Sequence, residues 1–320
     1  MAQRICGVDL GGTKVEAVVV DRRRAVLGHH RAPTPAGGGP PAVVAAVAEA
    51  VRAAAEMAGV KPRALSGIGI GAPGAVDAKR GVLRSAPNLD GFAEPVRLAR
   101  LVADAVGGVD VRLGNDVAVA VLGELELGAG RDLSSFVGIW WGTGVGGGVV
   151  LDRRLWRGRG NAGEIGHTVV QRDGLAEPNG LVGTLEAYAG RRSLEARARA
   201  LAAAGRATAL FTLMEGHGRD RLSSRIWQEA LAQGDALAEE LIADAVDAIA
   251  VAAANAVNLL DLEAVVLGGG LGSRFGEPMA ARLAAAMRPR LFLPDKAPPV
   301  RLAALGDQGG AIGASLLVEA

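Results

Sequence analysis

The sequence has one cysteine, almost no net charge and no long uncharged apolar run, and each scarcity closes a possibility. Cys6 alone cannot form an intrachain disulfide, and inside an apolar run it reads as a small buried hydrophobe suited to a reducing cytoplasm. A formal charge of +1, from 35 basic and 34 acidic side chains, offers no basic surface for nucleic acid. No uncharged apolar run reaches the ~18–20 residues of a membrane span, so no membrane partner is expected. Asp9 interrupts the first apolar run too early for a signal peptide. Linkers and low-complexity stretches are also missing. Half of the 320 residues are hydrophobic, which excludes disorder and fits a globular protein of two ordinary domains.

Glycine is plentiful, at 47 residues, and it is clustered. The stretch "WWGTGVGGGVVLD", Trp140–Asp152, places five glycines between Gly142 and Gly148. Each glycine inside a regular element costs about 0.5–1 kcal/mol relative to alanine. A similar unit opens the chain as "RICGVDLGGTKVEAVVVDRRR". Both read as strand, glycine turn, strand, then Asp-Arg-Arg, at Asp21-Arg22-Arg23 and Asp152-Arg153-Arg154. One such hairpin is a tight turn. Two matched hairpins are expected to open two similar α/β domains, facing one another across a cleft. Backbone N–H groups of glycine turns can converge on phosphate oxygens, because no Cβ blocks the approach.

A third glycine loop lies in "LEAVVLGGGLGSRFGEPMAARLAAAM". There Gly268, Gly269 and Gly270 stand where a buried strand gives way to a helix, whose first turn favours a phosphate. Gly142-x-Gly144-x-x-Gly147 also matches the dinucleotide-binding fingerprint. That fingerprint needs a following helix, and "GVVLD" is strand-like. "GGTK" lacks the spacing of a Walker loop.

The remaining elements are simpler. Strands are expected at Ile5–Leu10 and Val15–Asp21, and a helix across "PPAVVAAVAEAVRAAAEMAG" ends at Gly59. "LSGIGIGAPGAVD" is a strand running into a tight turn. "DVRLGNDVAVAVLGELELGAG" is a short strand, an Asn115-Asp116 cap and a helix ending near Gly128. A helical tract follows from about Leu185 to Leu260, then a strand at Leu262–Leu267. "PTPAGGGPP" reads as a mobile connection.

Taken in order, "GVDLGGTKVEAVVVD", "GIGIGAPGAVD", "NLDGF", "NDVAVAVLGE", "GTGVGGGVVLD", "NAGEIGHTVV", "GTLEAYAG" and "VVLGGG" resemble the ROK family (repressors, open reading frames, kinases). The resemblance covers nearly the whole chain. It implies the actin/hexokinase-like, ribonuclease H-like α/β fold: two domains around a central cleft. The smaller would span Met1–Val119 plus a returning helix at 304–320, and the larger 120–303. The family's enzymes are ATP-dependent kinases of hexoses and N-acyl amino sugars; its regulators carry a helix-turn-helix ahead of the first hairpin. Ile5 already starts the first strand here, so a DNA-binding repressor is not expected.

The resemblance then assigns roles. By position alone, Asn115 or Asp116 is better read as a helix cap. Asp116 matches the family's catalytic aspartate, and phosphoryl transfer to a hydroxyl needs one carboxylate to accept the proton. A helix start keeps that carboxylate ionised. Gly74, Asn88, Asn115, Glu164, His167 and Glu186 match sugar-contacting positions; alone, Glu186 would be a solvated helix residue and His167 a satisfied strand-end histidine. Asp9 matches a magnesium-side aspartate, directly or through water. Gly11, Gly12, Thr13 and Lys14 fall near the phosphates, with Gly142, Thr143 and Gly144 and with Gly268–Gly270. A valine at Gly144 is expected to harm nucleotide binding and spare the sugar.

One segment departs from the family. Where many members carry Cys-x-Cys-Gly-x-x-Gly-Cys-Leu-Glu and bind structural zinc, this chain reads "EPNGLVGTLE", with Glu177, Asn179 and Thr184 in the cysteine places. A carboxylate, an amide and a hydroxyl cannot hold zinc as three thiolates do, so no zinc is expected. The implied reaction is ATP·Mg²⁺ plus a hexose, glucose first, giving ADP and the sugar 6-phosphate. N-acetylhexosamine, fructose or an amino sugar are the other substrates, and a sugar sensor without DNA contact is the other function. A homo-oligomer, dimer or tetramer, is part of the same expectation.

Overall fold

The computed structural model describes residues 3–86, 88–177 and 180–318. They divide into two compact units, one of residues 1–131, 157–162 and 304–320, the other of 132–156 and 163–303. The boundary expected at 119/120 would cut a helix that the first unit keeps whole.

In the first unit, β1 (Ile5–Leu10), β2 (Lys14–Val20) and β3 (Val26–Pro33) form an antiparallel meander. β4 (Gly67–Ala72) and β7 (Val111–Asn115) extend it as parallel strands, in the order β3-β2-β1-β4-β7. A small ribbon pairs β5 (Ala75–Asp77) with β6 (Val82–Ser85). Alternation along β1 and β4 sorts their two faces. Cys6, Val8, Leu10, Ile68, Ile70 and Ala72 join one core with Val43, Val47 and Val51 of α1 (Gly39–Met57) and with Leu98 and Val102 of α2 (Leu98–Ala105).

The opposite face carries Gly7, Gly69 and Gly71, and there the absence of side chains is required. A Cβ on Gly7 would collide with the carbonyl of Ala311, and one on Gly69 with that of Ala314. Both carbonyls belong to α10 (Gly309–Ser315), which also packs on α3 (Asp116–Leu127). Buried Glu124 of α3 accepts hydrogen bonds from the N–H groups of Ala129 at 2.7 Å, Ala304 at 2.9 Å and Leu305 at 2.9 Å. The segment leading to α10 is thereby tied to α3. The loop after β3 is likewise held: Thr34 donates from Oγ1 to Gly11 O at 2.6 Å and from N–H to Thr13 O at 3.1 Å. The expected mobile connection is anchored at its first turn.

The second unit repeats the pattern. β8 (Phe136–Trp141), β9 (Val145–Leu151) and β10 (Arg154–Trp156) are antiparallel, and β11 (Val265–Gly268) and β12 (Val300–Leu302) extend them in parallel. The order, β10-β9-β8-β11-β12, mirrors that of the first sheet. Asp152 and Arg153 both adopt positive φ, the geometry of a two-residue hairpin turn, so β10 starts on the last arginine of the Asp-Arg-Arg signal. The helical tract is α4 (Leu185–Ala189), α5 (Arg191–Ala203), α6 (Leu210–Gly216), α7 (Ser224–Ala232) and α8 (Ala236–Leu260). Asp261 caps α8 with φ 51°, so β11 begins at Val265 rather than at Leu262. α9 (Gly269–Met287) follows β11 and bends at Gly276, ahead of Pro278.

Candidate active site

Ligands of α/β sheets gather outside the carboxyl ends of parallel strands. In the first unit those ends carry the residues singled out in the sequence. Asp9 of β1 pairs in register with Gly71 of β4, and Gly71 with Gly114 of β7, one residue before Asn115. Asn115 caps α3, its Oδ1 accepting from Ala118 N–H at 3.0 Å, while its Nδ2 donates to Gly74 O at 3.3 Å. Asp116 opens α3, and its Oδ1 accepts from Val117 N–H at 2.9 Å. Cap and candidate base are therefore neighbours with separate tasks. Asn88 is also brought in: its carbonyl lies 2.9 Å from where a Cβ on Gly12 would stand.

Asp9 faces Lys14 at 3.5 Å, and Lys14 Nζ donates to Glu16 Oε2 at 2.5 Å. Glu16, which the sequence motifs overlook, is buried and also bonds His29 at 3.0 Å. Burial works to raise its carboxyl, but the Lys14 hydrogen bond and charge and the His29 contact outweigh it and hold Glu16 below the usual carboxylate range. At Asp9 burial prevails, and its pKa is raised against the opposing charge of Lys14.

A desolvated carboxylate gains from a bound cation. Mg²⁺ commonly takes one or two carboxylates, keeps several waters and shares substrate phosphates. Asp9 fits that mode. Among the described residues no group of three or more His, Cys, Asp and Glu stands ready to hold a metal by protein ligands alone.

In the second unit, Gly142, Thr143 and Gly144 form the turn after β8, while Gly268, Gly269 and Gly270 bridge β11 and α9. Strands β8 and β11 are parallel neighbours, with Trp140 opposite Gly268. A Cβ on Gly142 would stand 3.8 Å from Gly270 N, so the two glycine loops converge. The strand β9 after the turn, instead of a helix, disposes of the dinucleotide fingerprint.

Three sugar-site candidates share this unit. Glu186 Oε2 accepts from Val145 N–H at 2.7 Å. Its carboxylate also fills the place a Cβ on Gly144 would need. The turn glycine is thus small to admit Glu186, and a side chain at Gly144 would displace that carboxylate as well as crowd the turn. Glu164 precedes the turn Ile165–His167, and burial raises its pKa, with the charge of His167 opposing and that of Glu186 adding.

In the segment lacking the family's cysteines, buried Thr184 donates from Oγ1 to buried Glu177. Asn179, the third replacement, lies outside the described residues.

The ROK family model matches residues 5–320. The chain belongs to the ROK family. A Streptomyces coelicolor glucokinase is 34% identical over 268 residues, covering 83% of this chain and 81% of the relative. An N-acetylgalactosamine kinase of a Shewanella species is 31% identical over 321 residues, covering 97% and 95%. A crystal structure of a Streptomyces griseus ROK glucokinase with glucose and AMPPNP is 35% identical, with TM-score 0.83 and 98% of each chain covered. In this ROK protein, then, the paired sheets carry the actin-like α/β fold of the family.

Proposed function

We propose that this ROK protein transfers the γ-phosphoryl group of ATP to the 6-hydroxyl of a hexose, glucose first, with Asp116 accepting the hydroxyl proton. The coarser statement, an ATP-dependent sugar kinase, rests on the family match and the kinase relatives. The observation that carries the finer one is the meeting of Gly71, Gly74, Asn115 and Asp116 at the carboxyl ends of β4 and β7.

Phosphoryl transfer asks the protein for positioning and charge stabilisation rather than covalent chemistry. Asp116 would orient the acceptor hydroxyl and take its proton late, a task for an ionised carboxylate. In the first unit Asn88 and Asn115 offer donors and acceptors for sugar hydroxyls; in the second, Glu164, His167 and Glu186 are the candidates for the same task. Mg²⁺ carried with ATP would neutralise phosphate charge, with Asp9 as its carboxylate partner. The candidate phosphate turns are Gly11, Gly12, Thr13 and Lys14 in the first unit and, in the second, the loops at Gly142–Gly144 and Gly268–Gly270.

An N-acetylhexosamine is the next substrate to test, given the N-acetylgalactosamine kinase relative. ADP release measured over a panel of glucose, mannose, fructose, glucosamine, N-acetylglucosamine and N-acetylgalactosamine decides the matter. Glucose is expected to give the highest kcat/KM. A different preferred sugar overturns glucose, and ADP release independent of every sugar overturns the kinase reading. A homo-oligomer belongs to the same proposal and is measured by light scattering.

A further inference from the structure

Arg191, the first residue of α5, has no role in any motif above. The residue is half-buried. Unlike Arg197, Arg199 and Arg206, which pair with Asp244, Glu195 and Glu240, it has no carboxylate at ion-pair distance among the described residues. Its partners are two neutral hydroxyls: Nη2 donates to Thr143 Oγ1 at 3.0 Å and Nη1 to Ser224 Oγ at 3.4 Å. Thr143 is the middle of the Gly142–Gly144 turn. Ser224 Oγ lies 3.3 Å from where a Cβ on Gly270 would stand. The arginine therefore joins the turn after β8 to the loop that opens α9. Its backbone is fixed as well, with Arg191 N–H donating to Gly142 O and Arg192 N–H to Thr143 O, each at 3.1 Å.

Burial weighs against the charge of this group, with Glu195 opposing and Arg192 adding. A guanidinium stays protonated regardless, and two hydroxyl contacts leave donors over from its five. A cation held in a partly desolvated position without a counter-charge is completed by an anion, and an arginine fork suits the paired oxygens of a phosphate.

We propose that Arg191 binds phosphate oxygens beyond the α-phosphate of the nucleotide, held ready by Thr143 and Ser224. The inference rests on the kinase reading for its ligand and adds a residue to that site.

The test is calorimetric titration of ATP, ADP and AMP into the full-length wild type, Arg191→Met and Arg191→Lys, with sugar affinity measured separately in each. Losing a charge-assisted contact is expected to weaken ATP and ADP by roughly 10–100-fold in Arg191→Met, with AMP and the sugar within about twofold. Arg191→Lys keeps the charge without the fork and is expected to fall between, which preserves the test should the methionine variant fold poorly. Unchanged ATP and ADP affinity in the variants overturns the assignment to Arg191 alone. So does an equal loss for AMP, which would mean the loops had merely collapsed. A wild type that binds no ATP overturns the kinase reading and this inference together.

Discussion

Gly144 and Asp116 each carry a structural duty and a proposed chemical one, and substitutions can separate them. A valine at Gly144 meets the Glu186 carboxylate, which is bonded to the next N–H in the turn. Gly144→Val is therefore expected to raise the KM for sugar as well as for ATP, because Glu186 must leave its place. Steady-state kinetics with each substrate varied in turn checks this, and an unchanged sugar KM would remove Glu186 from the sugar site. At Asp116 the cap is supplied by Asn115, so Asp116→Asn leaves α3 capped. It is expected to keep the melting temperature and sugar affinity while turnover falls roughly 10²–10⁴-fold. Turnover within a few-fold of wild type would take Asp116 out of the mechanism.

Whole elements were legible in proportion to how much of their pattern is local. β1 is visible as Ile5–Leu10 because six consecutive residues are apolar or flank the glycine turn, and α1 because its valines recur at helical spacing. β3 escapes that reading: "VLGHHRAP" mixes histidines, arginine and proline, as an edge strand exposed on one side does. β10 is three residues long, below any periodic signal. Asp9, Asn115 and Asp116 were found through motif order, whereas Glu16, Glu124 and Arg191 were not. Their roles depend on partners from other elements, and nothing in "VEAVV" marks its glutamate as buried between Lys14 and His29. The stretch around α4 invites a test at this scale. Glu177 and Thr184 bond directly where related chains would place thiolates on a metal. The melting temperature is expected to be the same with and without a strong chelator, because a structural zinc would contribute folding energy. A chelator-induced drop, or one equivalent of zinc by elemental analysis, would contradict it.

At the scale of the molecule, one sheet plan is used twice, and the unit that holds the first copy is assembled from distant parts of the chain. Glu124 is the clasp of that assembly. Glu124→Ala would leave the N–H groups of Ala129, Ala304 and Leu305 without their acceptor, and is expected to cost roughly 2–4 kcal/mol of stability. Urea unfolding measures it; a loss under about 0.5 kcal/mol would show that the 304–305 connection is held by α10 packing alone. The same dependence on α10 bears on how the protein is made. A ribosome delivers β1, β4 and β7 early, but the face bearing Gly7 and Gly69 has no cover until residues 304–318 emerge. At ~5–20 residues per second, the intervening segment takes roughly 10–40 s to synthesise. The unit begun first is finished last, and through that interval the face bearing Gly7 and Gly69 stays open for the one helix that fits it.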